Sequence, residues 1–199
     1  MKKYLWAFTA VAAVLCLPAR AQTAAYQVQA RDIYAHIVSF RTAAGQGKVP
    51  AMRAYLADVL RSGGVPDSDV AMIEAAGQSA MIVRLPGRKA GRPILFSAHM
   101  DVVDARPEDW ERDPFKLIEE NGRFYGRGTM DNKAGVAALA STILRLKADR
   151  QQPARELVFA FVGDEESGME TTRAIAAHPW VRDAEFAIKG PFLTVREGR

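Results

Sequence analysis

The sequence is poor in the residues that build cross-linked or nucleotide-binding sites. Its 199 residues include one cysteine, Cys16, and three histidines. A single cysteine has no partner, so a disulfide framework is excluded. The chain has no internal repeat, no low-complexity tract and no GxxxxGK phosphate-binding loop. The pair Gly126 and Gly128 lacks a third glycine at the spacing of a dinucleotide site, so that class is excluded too.

Long apolar runs are also missing. The longest, Leu5–Leu17, is too short to span a bilayer. Lys2 and Lys3 precede it and the small-x-small triplet Ala19-Arg20-Ala21 follows it, which is typical of a secretory signal peptide. We expect residues 1–21 to be a cleaved signal with Gln22 as the mature N-terminus. The mature chain is then secreted or periplasmic and keeps no stable membrane anchor.

The chain has little net charge once this segment is removed. The full sequence has 27 basic and 23 acidic residues, and the loss of Lys2, Lys3 and Arg20 leaves 24 basic against 23 acidic. The sequence pI of about 9.3 therefore gives no support to a nucleic-acid partner. Cys16 leaves with the same segment, so the mature chain contains no cysteine.

The pattern of apolar residues predicts one α/β domain over residues 22–188. Helical patterns mark four segments, and short apolar or alternating runs mark strands between them. The predicted helices are Ala30–Phe40, Val49–Leu60, Lys133–Lys147 and Met169–Ala177. The predicted strands are Val70–Glu74, Ala80–Leu85, Phe115–Ile118, Arg123–Tyr125, Glu156–Val162 and Ala184–Ile188, with a further strand leading into His99.

The stretch Arg92–Asp101 carries the first chemical signal. An apolar run, Ile94-Leu95-Phe96, leads into His99 and Asp101, which project to the same face of an extended chain. A metal-binding imidazole needs a carboxylate or carbonyl on its other nitrogen, and Asp101 is placed to supply it. A core histidine beside a capping aspartate has the same pattern, so this motif alone leaves both interpretations open.

Two later stretches favour a metal. Asp131 follows the glycine-rich segment Gly126–Met130 and stands just before an apolar helix. A second buried strand, Leu157–Val162, leads into Glu165 and Glu166. His99, Asp131 and Glu166 offer the nitrogen and oxygen ligands that suit zinc. Open α/β sheets collect ligands beyond the carboxyl ends of their strands, which is where these residues are expected.

Three segments together resemble a known family: SAHMDVVDARPEDWERDPF, GRFYGRGTMDNKAGVAA and ELVFAFVGDEESG. They are similar to the di-zinc metallopeptidases that include acetylornithine deacetylase, succinyl-diaminopimelate desuccinylase, aminoacylase and glutamate carboxypeptidase. The resemblance implies a zinc-exopeptidase-like α/β fold with a central mixed sheet flanked by helices. It also implies hydrolysis of a peptide or N-acyl amide bond in a small peptide or N-acyl amino acid.

The resemblance also assigns roles in a centre of two zinc ions. His99 would bind one zinc, Glu166 the other, and Asp131 would bridge them after a cis peptide bond to Asn132. Asp101 would orient His99, and Glu165 would be the general base. These five residues are the expected site: His99, Asp131 and Glu166 as metal ligands, and Glu165 and Asp101 as catalytic residues.

The sequence departs from the family in its last part. The family has a further carboxylate ligand just after a strand like Ala184–Ile188, where this chain has Lys189. The family also has a late histidine, and no histidine follows His178 here. Residues 189–199 do not match, so we expect a truncated catalytic domain without the lid (dimerisation) domain. With two recognisable ligands per zinc, weak metal binding and little or no turnover are expected. An inactive remnant and a binding module without turnover are the alternatives.

Overall fold

The computed structural model describes residues 17–190, with side chains from residue 25 onward. This range contains four α-helices: α1 (Leu17–Val38), α2 (Val49–Ser62), α3 (Lys133–Ala148) and α4 (Glu170–Ala177). Seven strands complete the described part: β1 (Val70–Ala75), β2 (Gln78–Leu85), β3 (Ile94–His99), β4 (Ile118–Glu120), β5 (Arg123–Tyr125), β6 (Leu157–Val162) and β7 (Phe186–Lys189). Within residues 17–190, no helix combines the length and apolarity that crossing a bilayer needs.

Five strands form one mixed sheet in the order β1-β2-β6-β3-β7. The first three are antiparallel neighbours, whereas β6, β3 and β7 run parallel to one another. Strands β4 and β5 make a separate hairpin. The expected α/β fold with a central mixed sheet is therefore confirmed.

Helices cover both faces of this sheet. In β6, Phe159 and Phe161 point into the core formed with α1, α2 and α3, while Val158 and Ala160 point into a smaller core that includes Ile175 of α4. Alternate residues of β2 divide between the two cores in the same way. Burial on both faces explains why β6 is apolar at every position rather than at every second one.

Several boundaries differ from the expected ones. Helix α1 begins at Leu17 rather than at Ala30, because the alanines and glutamines before Ala30 are good helix formers without apolar periodicity. The hairpin strand β4 begins at Ile118, since Asp113 accepts the Phe115 N–H at 2.8 Å and holds a turn there. Strand β7 begins at Phe186, two residues later than the predicted Ala184. Residues 1–16 of the expected signal segment lie outside the described residues.

The parallel arrangement brings three strand ends to one edge of the sheet. His99 of β3 is level with Val162 of β6, and Ser97 is level with Lys189 of β7. The pairing continues past β3, because the Met100 N–H donates to the Val162 carbonyl at 2.7 Å. The segments that follow β3 and β6 therefore begin side by side, as the rule for parallel sheets requires.

Candidate metal centre

His99 is the central residue of this edge. It is 2% exposed, and its Nδ1 lies 2.9 Å from the backbone carbonyl oxygen of Asp101. A carbonyl oxygen can only accept, so Nδ1 carries the hydrogen and Nε2 is the nitrogen that is available for a metal. Nε2 lies 2.9 Å from Asp131 Oδ1. Burial lowers the pKa of His99, but hydrogen bonds to Asp101 and Asp131 outweigh it and raise that pKa to about 9.

The carboxylate of Asp101 makes contacts that the sequence does not predict. It lies 3.4 Å from His99 Nδ1, farther than the backbone carbonyl of the same residue. Its two oxygens instead accept the backbone N–H groups of Glu165 at 3.0 Å and Glu166 at 2.9 Å. Asp101 is 4% exposed, so these bonds are shielded from water. The segment after β3 is thereby fastened to the turn after β6.

Two adjacent glutamates complete a possible metal cluster. Ligand atoms of His99, Glu165 and Glu166 all lie within 4.8 Å of one another. Burial raises the pKa of Glu166, and the nearby carboxylates of Asp131, Glu165 and Asp101 raise it further, while His99 opposes them. A divalent cation would relieve the electrostatic repulsion between carboxylates that crowd around one imidazole. One nitrogen and several carboxylate oxygens form a donor set that fits zinc.

Asp131 contacts this cluster through His99 and lies outside the group formed with the glutamates. Its side chain is 60% exposed. The loop before it is anchored by Tyr34, whose hydroxyl donates to the Thr129 carbonyl at 2.6 Å. The peptide bond between Asp131 and Asn132 is cis, as the resemblance implies. Asp131 is thus held beside His99 by a fixed loop, on the solvent side of the cluster.

A buried lysine anchors the start of α3. Lys133 is fully buried, and its Nζ donates to the Phe40 carbonyl at 2.5 Å. Burial lowers the pKa of Lys133 to about 7. Gly128 lies against this side chain, because a Cβ at residue 128 would come within 3.1 Å of Lys133 Cδ and 2.8 Å of Val102 Cγ1. The glycine therefore lets the loop pack closely below Asp131.

Lys189 belongs to the site, although the sequence did not predict it as a site residue. Its Nζ donates to the Glu165 carboxylate from the end of β7. Among residues 17–190, it is the one lysine or arginine that forms an ion pair with Asp101, Asp131, Glu165 or Glu166. Its signal in the sequence was its place just after a predicted strand, where the family has an acid.

Other charged or imidazole side chains do not join the cluster. His36 packs against Tyr55, and His178 against Trp180, as expected for structural histidines. Glu185 pairs with Arg155 and Asp183 with Arg182, so neither supplies the acid expected after the last strand. Asp164, which precedes Glu165, is 2% exposed and accepts the N–H groups of Glu170 and Thr171 at the start of α4.

Comparisons with known proteins show which family this chain resembles. Residues 95–198, just over half of the chain, match the sequence profile of Peptidase family M20/M25/M40. A probable succinyl-diaminopimelate desuccinylase of Staphylococcus aureus is 40% identical over 97 residues, which are 48% of this chain and 24% of that protein. A mouse N-fatty-acyl-amino acid synthase/hydrolase is 38% identical over 106 residues, covering 51% of this chain and 21% of the relative.

Solved structures share the fold. Human carnosine dipeptidase 1 superposes with a TM-score of 0.71 at 21% identity, covering 84% of this chain and 40% of that one. The dipeptidase Dug1p of Saccharomyces cerevisiae gives a TM-score of 0.71 at 19% identity, with 85% and 40% coverage. The chain thus spans less than half the length of these relatives. On the profile match, it belongs to peptidase family M20/M25/M40, a family of metallopeptidases and related amide hydrolases.

Proposed function

We propose that this chain carries the centre of a zinc-dependent hydrolase that cleaves a peptide bond or an N-acyl amide bond. The observation that carries the proposal is the cluster of His99, Glu165 and Glu166. Asp131 Oδ1 lies beside Nε2, the metal-facing nitrogen of His99. Family membership supports the reaction class, since the relatives are named as hydrolases of acylated amino acids and dipeptides.

Each residue has a role that its position supports. His99 Nε2, Asp131 and Glu166 would hold the metal. A bound zinc ion would supply a Lewis acid that polarises the scissile carbonyl. Glu165 lies beside these ligands and would take a proton from the attacking water, then deliver it to the nitrogen of the leaving amine. The scissile C–N bond then breaks to give a carboxylic acid and a free amine.

Asp101 prepares both sides of this centre. Its backbone carbonyl fixes the tautomer of His99, so that Nε2 faces the ligand position. Its carboxylate holds the backbone of Glu165 and Glu166, which sets where the base stands relative to the ligands. Such preorganisation matters because the base must reach the water in a narrow range of geometry.

The substrate class we propose is a small peptide or an N-acyl amino acid. It comes from the names of the relatives, which include a desuccinylase, an N-fatty-acyl-amino acid synthase/hydrolase and a carnosine dipeptidase. We further propose that the protein is exported, on the pattern of residues 1–21. N-terminal sequencing of the product recovered outside the cytoplasm tests export; a start at Gln22 supports it, and an intact Met1 contradicts it.

A second candidate function is metal binding without turnover. The ion pair between Lys189 and Glu165 favours it, because a base that is held by an ammonium is less free to take a proton. Of the three described histidines, only His99 lies at the centre. Little turnover is therefore expected from this chain by itself, in line with the prediction from the sequence.

Hydrolysis assays separate the two functions. The purified full chain is loaded with zinc and offered an alanyl dipeptide, an N-acetyl amino acid and an N-succinyl amino acid. We expect slow release of free amine that disappears when the metal is removed with a chelator. A rate equal to that of zinc in buffer, from a chain that is folded and holds the metal, contradicts turnover and leaves the binding function.

A further inference from the structure

Lys189 ends the strand that borders β3. It is level with Ser97, two residues before His99, and the next N–H group, of Gly190, donates to the Ser97 carbonyl at 3.0 Å. The Lys189 side chain therefore starts at the same edge of the sheet as the candidate metal ligands. From there its ammonium reaches the Glu165 carboxylate.

The ammonium meets an acidic site. Asp101, Asp131, Glu165 and Glu166 gather around His99 within the described residues. Such a cluster needs positive charge, and a lysine supplies one charge that a metal ion would otherwise bring. Lys189 is 55% exposed and Glu165 23%, so the pair stands at the mouth of the site.

We propose that the Lys189 ammonium, held by Glu165, takes the place of the second metal ion, so that the centre binds a single divalent cation. The proposal rests on the proposed function, which requires a metal at His99. A second divalent ion beside Glu165 and Glu166 would lie close to the ammonium, and repulsion between like charges opposes it. Glu165 therefore stays outside the coordination shell and is held by Lys189 instead.

This arrangement changes the ligand count. Among the described residues, two ions would each have two recognisable protein ligands, which makes weak binding the expectation. A single ion has three, His99, Asp131 and Glu166, and three protein ligands with one open position is the usual number in catalytic zinc sites. Asp131 already contacts the metal-facing nitrogen of His99, and Glu166 lies in the same cluster as that ring.

The test is the number of cobalt ions that the metal-free full chain takes up. Co²⁺ absorbs visible light when bound, so titration gives stoichiometry and affinity without any activity assay. We expect one equivalent for the wild type. Lys189→Asp removes the ammonium and adds a carboxylate, so we expect two equivalents. Lys89→Asp makes the same charge change on an exposed loop lysine and is expected to keep one equivalent.

A milder variant guards against misfolding of Lys189→Asp. Lys189→Met removes the charge without adding a ligand, and we expect it to take a second equivalent at a Co²⁺ concentration about tenfold below that needed by the wild type. Circular dichroism establishes that each variant is folded.

The outcomes separate this proposal from the function on which it rests. Two equivalents in the wild type overturn it while leaving a metal-dependent hydrolase intact. A folded Lys189→Asp or Lys189→Met that binds metal as the wild type does also overturns it. No uptake by any of the proteins overturns the metal centre itself, and this proposal with it.

Discussion

The carboxylate of Asp101 accepts the backbone N–H of Glu165 at 3.0 Å, and this bond joins the end of β3 to the turn after β6. The neighbouring N–H of Glu166 is accepted by the other oxygen at 2.9 Å. One buried side chain therefore fixes two candidate site residues through their backbone. The Asp101 carboxylate positions the backbone of Glu165 and Glu166, whereas the Asp101 carbonyl accepts the hydrogen bond from the His99 ring. The two roles of Asp101 can therefore be tested separately.

Asp101→Asn tests this positioning role. The amide keeps one acceptor oxygen and replaces the other with a donor, so it can satisfy only one of the two N–H groups. We expect the free energy of unfolding to fall by about 1–3 kcal/mol. Amide hydrogen exchange at Glu165 and Glu166 should also become faster. Asp32→Asn, on the exposed face of α1, is the control. Unchanged exchange at residues 165 and 166 would contradict the role.

Gly128 is expected to resist substitution because of what surrounds it. Its φ is +82°, and a Cβ there would lie 2.8 Å from Val102 Cγ1. Gly77 has a similar φ of +77° with nothing within 4 Å, so Gly77→Ala measures the cost of backbone strain alone. We expect Gly128→Ala to lose roughly 1–3 kcal/mol more than Gly77→Ala in urea unfolding. Equal losses would show that the packing below Asp131 tolerates a methyl group.

Asp164 is expected to stabilise α4 rather than to bind metal. Its buried carboxylate accepts the N–H groups of Glu170 at 2.6 Å and Thr171 at 3.1 Å. These N–H groups belong to the first helical turn, where the helix itself offers no acceptor. We expect Asp164→Ala to lower the free energy of unfolding by about 2–4 kcal/mol. Asp58→Ala, at an exposed position of α2, is the control. Loss of metal from a folded Asp164→Ala at unchanged stability would contradict this assignment.

Tyr34 gives the protein an alkaline dependence of stability. Burial raises the pKa of Tyr34 to about 12, despite its hydrogen bond to Thr129. An unfolded tyrosine titrates near 10, so the folded state holds the proton that the unfolded state loses between about pH 10 and 12. This contribution is complete below pH 10 and is lost as the pH rises through that window.

Tyr34→Phe removes that dependence. The unfolding free energy of the wild type should fall more steeply than that of the variant between about pH 10 and 12. At neutral pH the variant should be less stable by roughly 1–2 kcal/mol, because the Thr129 carbonyl loses its partner. Urea unfolding at several pH values measures both effects. Parallel curves across the window would contradict the assignment to Tyr34.

Much of the centre was readable from the sequence because strand ends carry it. His99 and Glu166 each follow an apolar run, and the sheet brings those runs together as parallel neighbours. The residues of the Asp131 loop were recognised from their glycines. Each of these signals is local, so a single segment of sequence was enough to reveal it.

Contacts between distant segments could not be predicted. Lys189 meets Glu165 only because β7 pairs with β3 in one register, and the predicted strand ended one residue too early to include it. Asp104 accepts two hydrogen bonds from Arg41, 63 residues earlier in the chain, and neither segment alone indicates this pair. Three acids in a row, Asp164 to Glu166, also leave open which one faces the helix and which face the site.

The most direct test of the account compares two adjacent glutamates. Glu165→Gln and Glu166→Gln make the same chemical change one residue apart, and both variants are measured for zinc affinity and for hydrolysis. We expect Glu165→Gln to bind zinc within about threefold of the wild type, while the slow hydrolysis expected of the wild type falls to the rate of zinc in buffer. We expect Glu166→Gln to bind zinc at least about tenfold more weakly. Equal loss of zinc in both variants, or hydrolysis that survives in Glu165→Gln, would contradict the assignment of Glu166 as ligand and Glu165 as base.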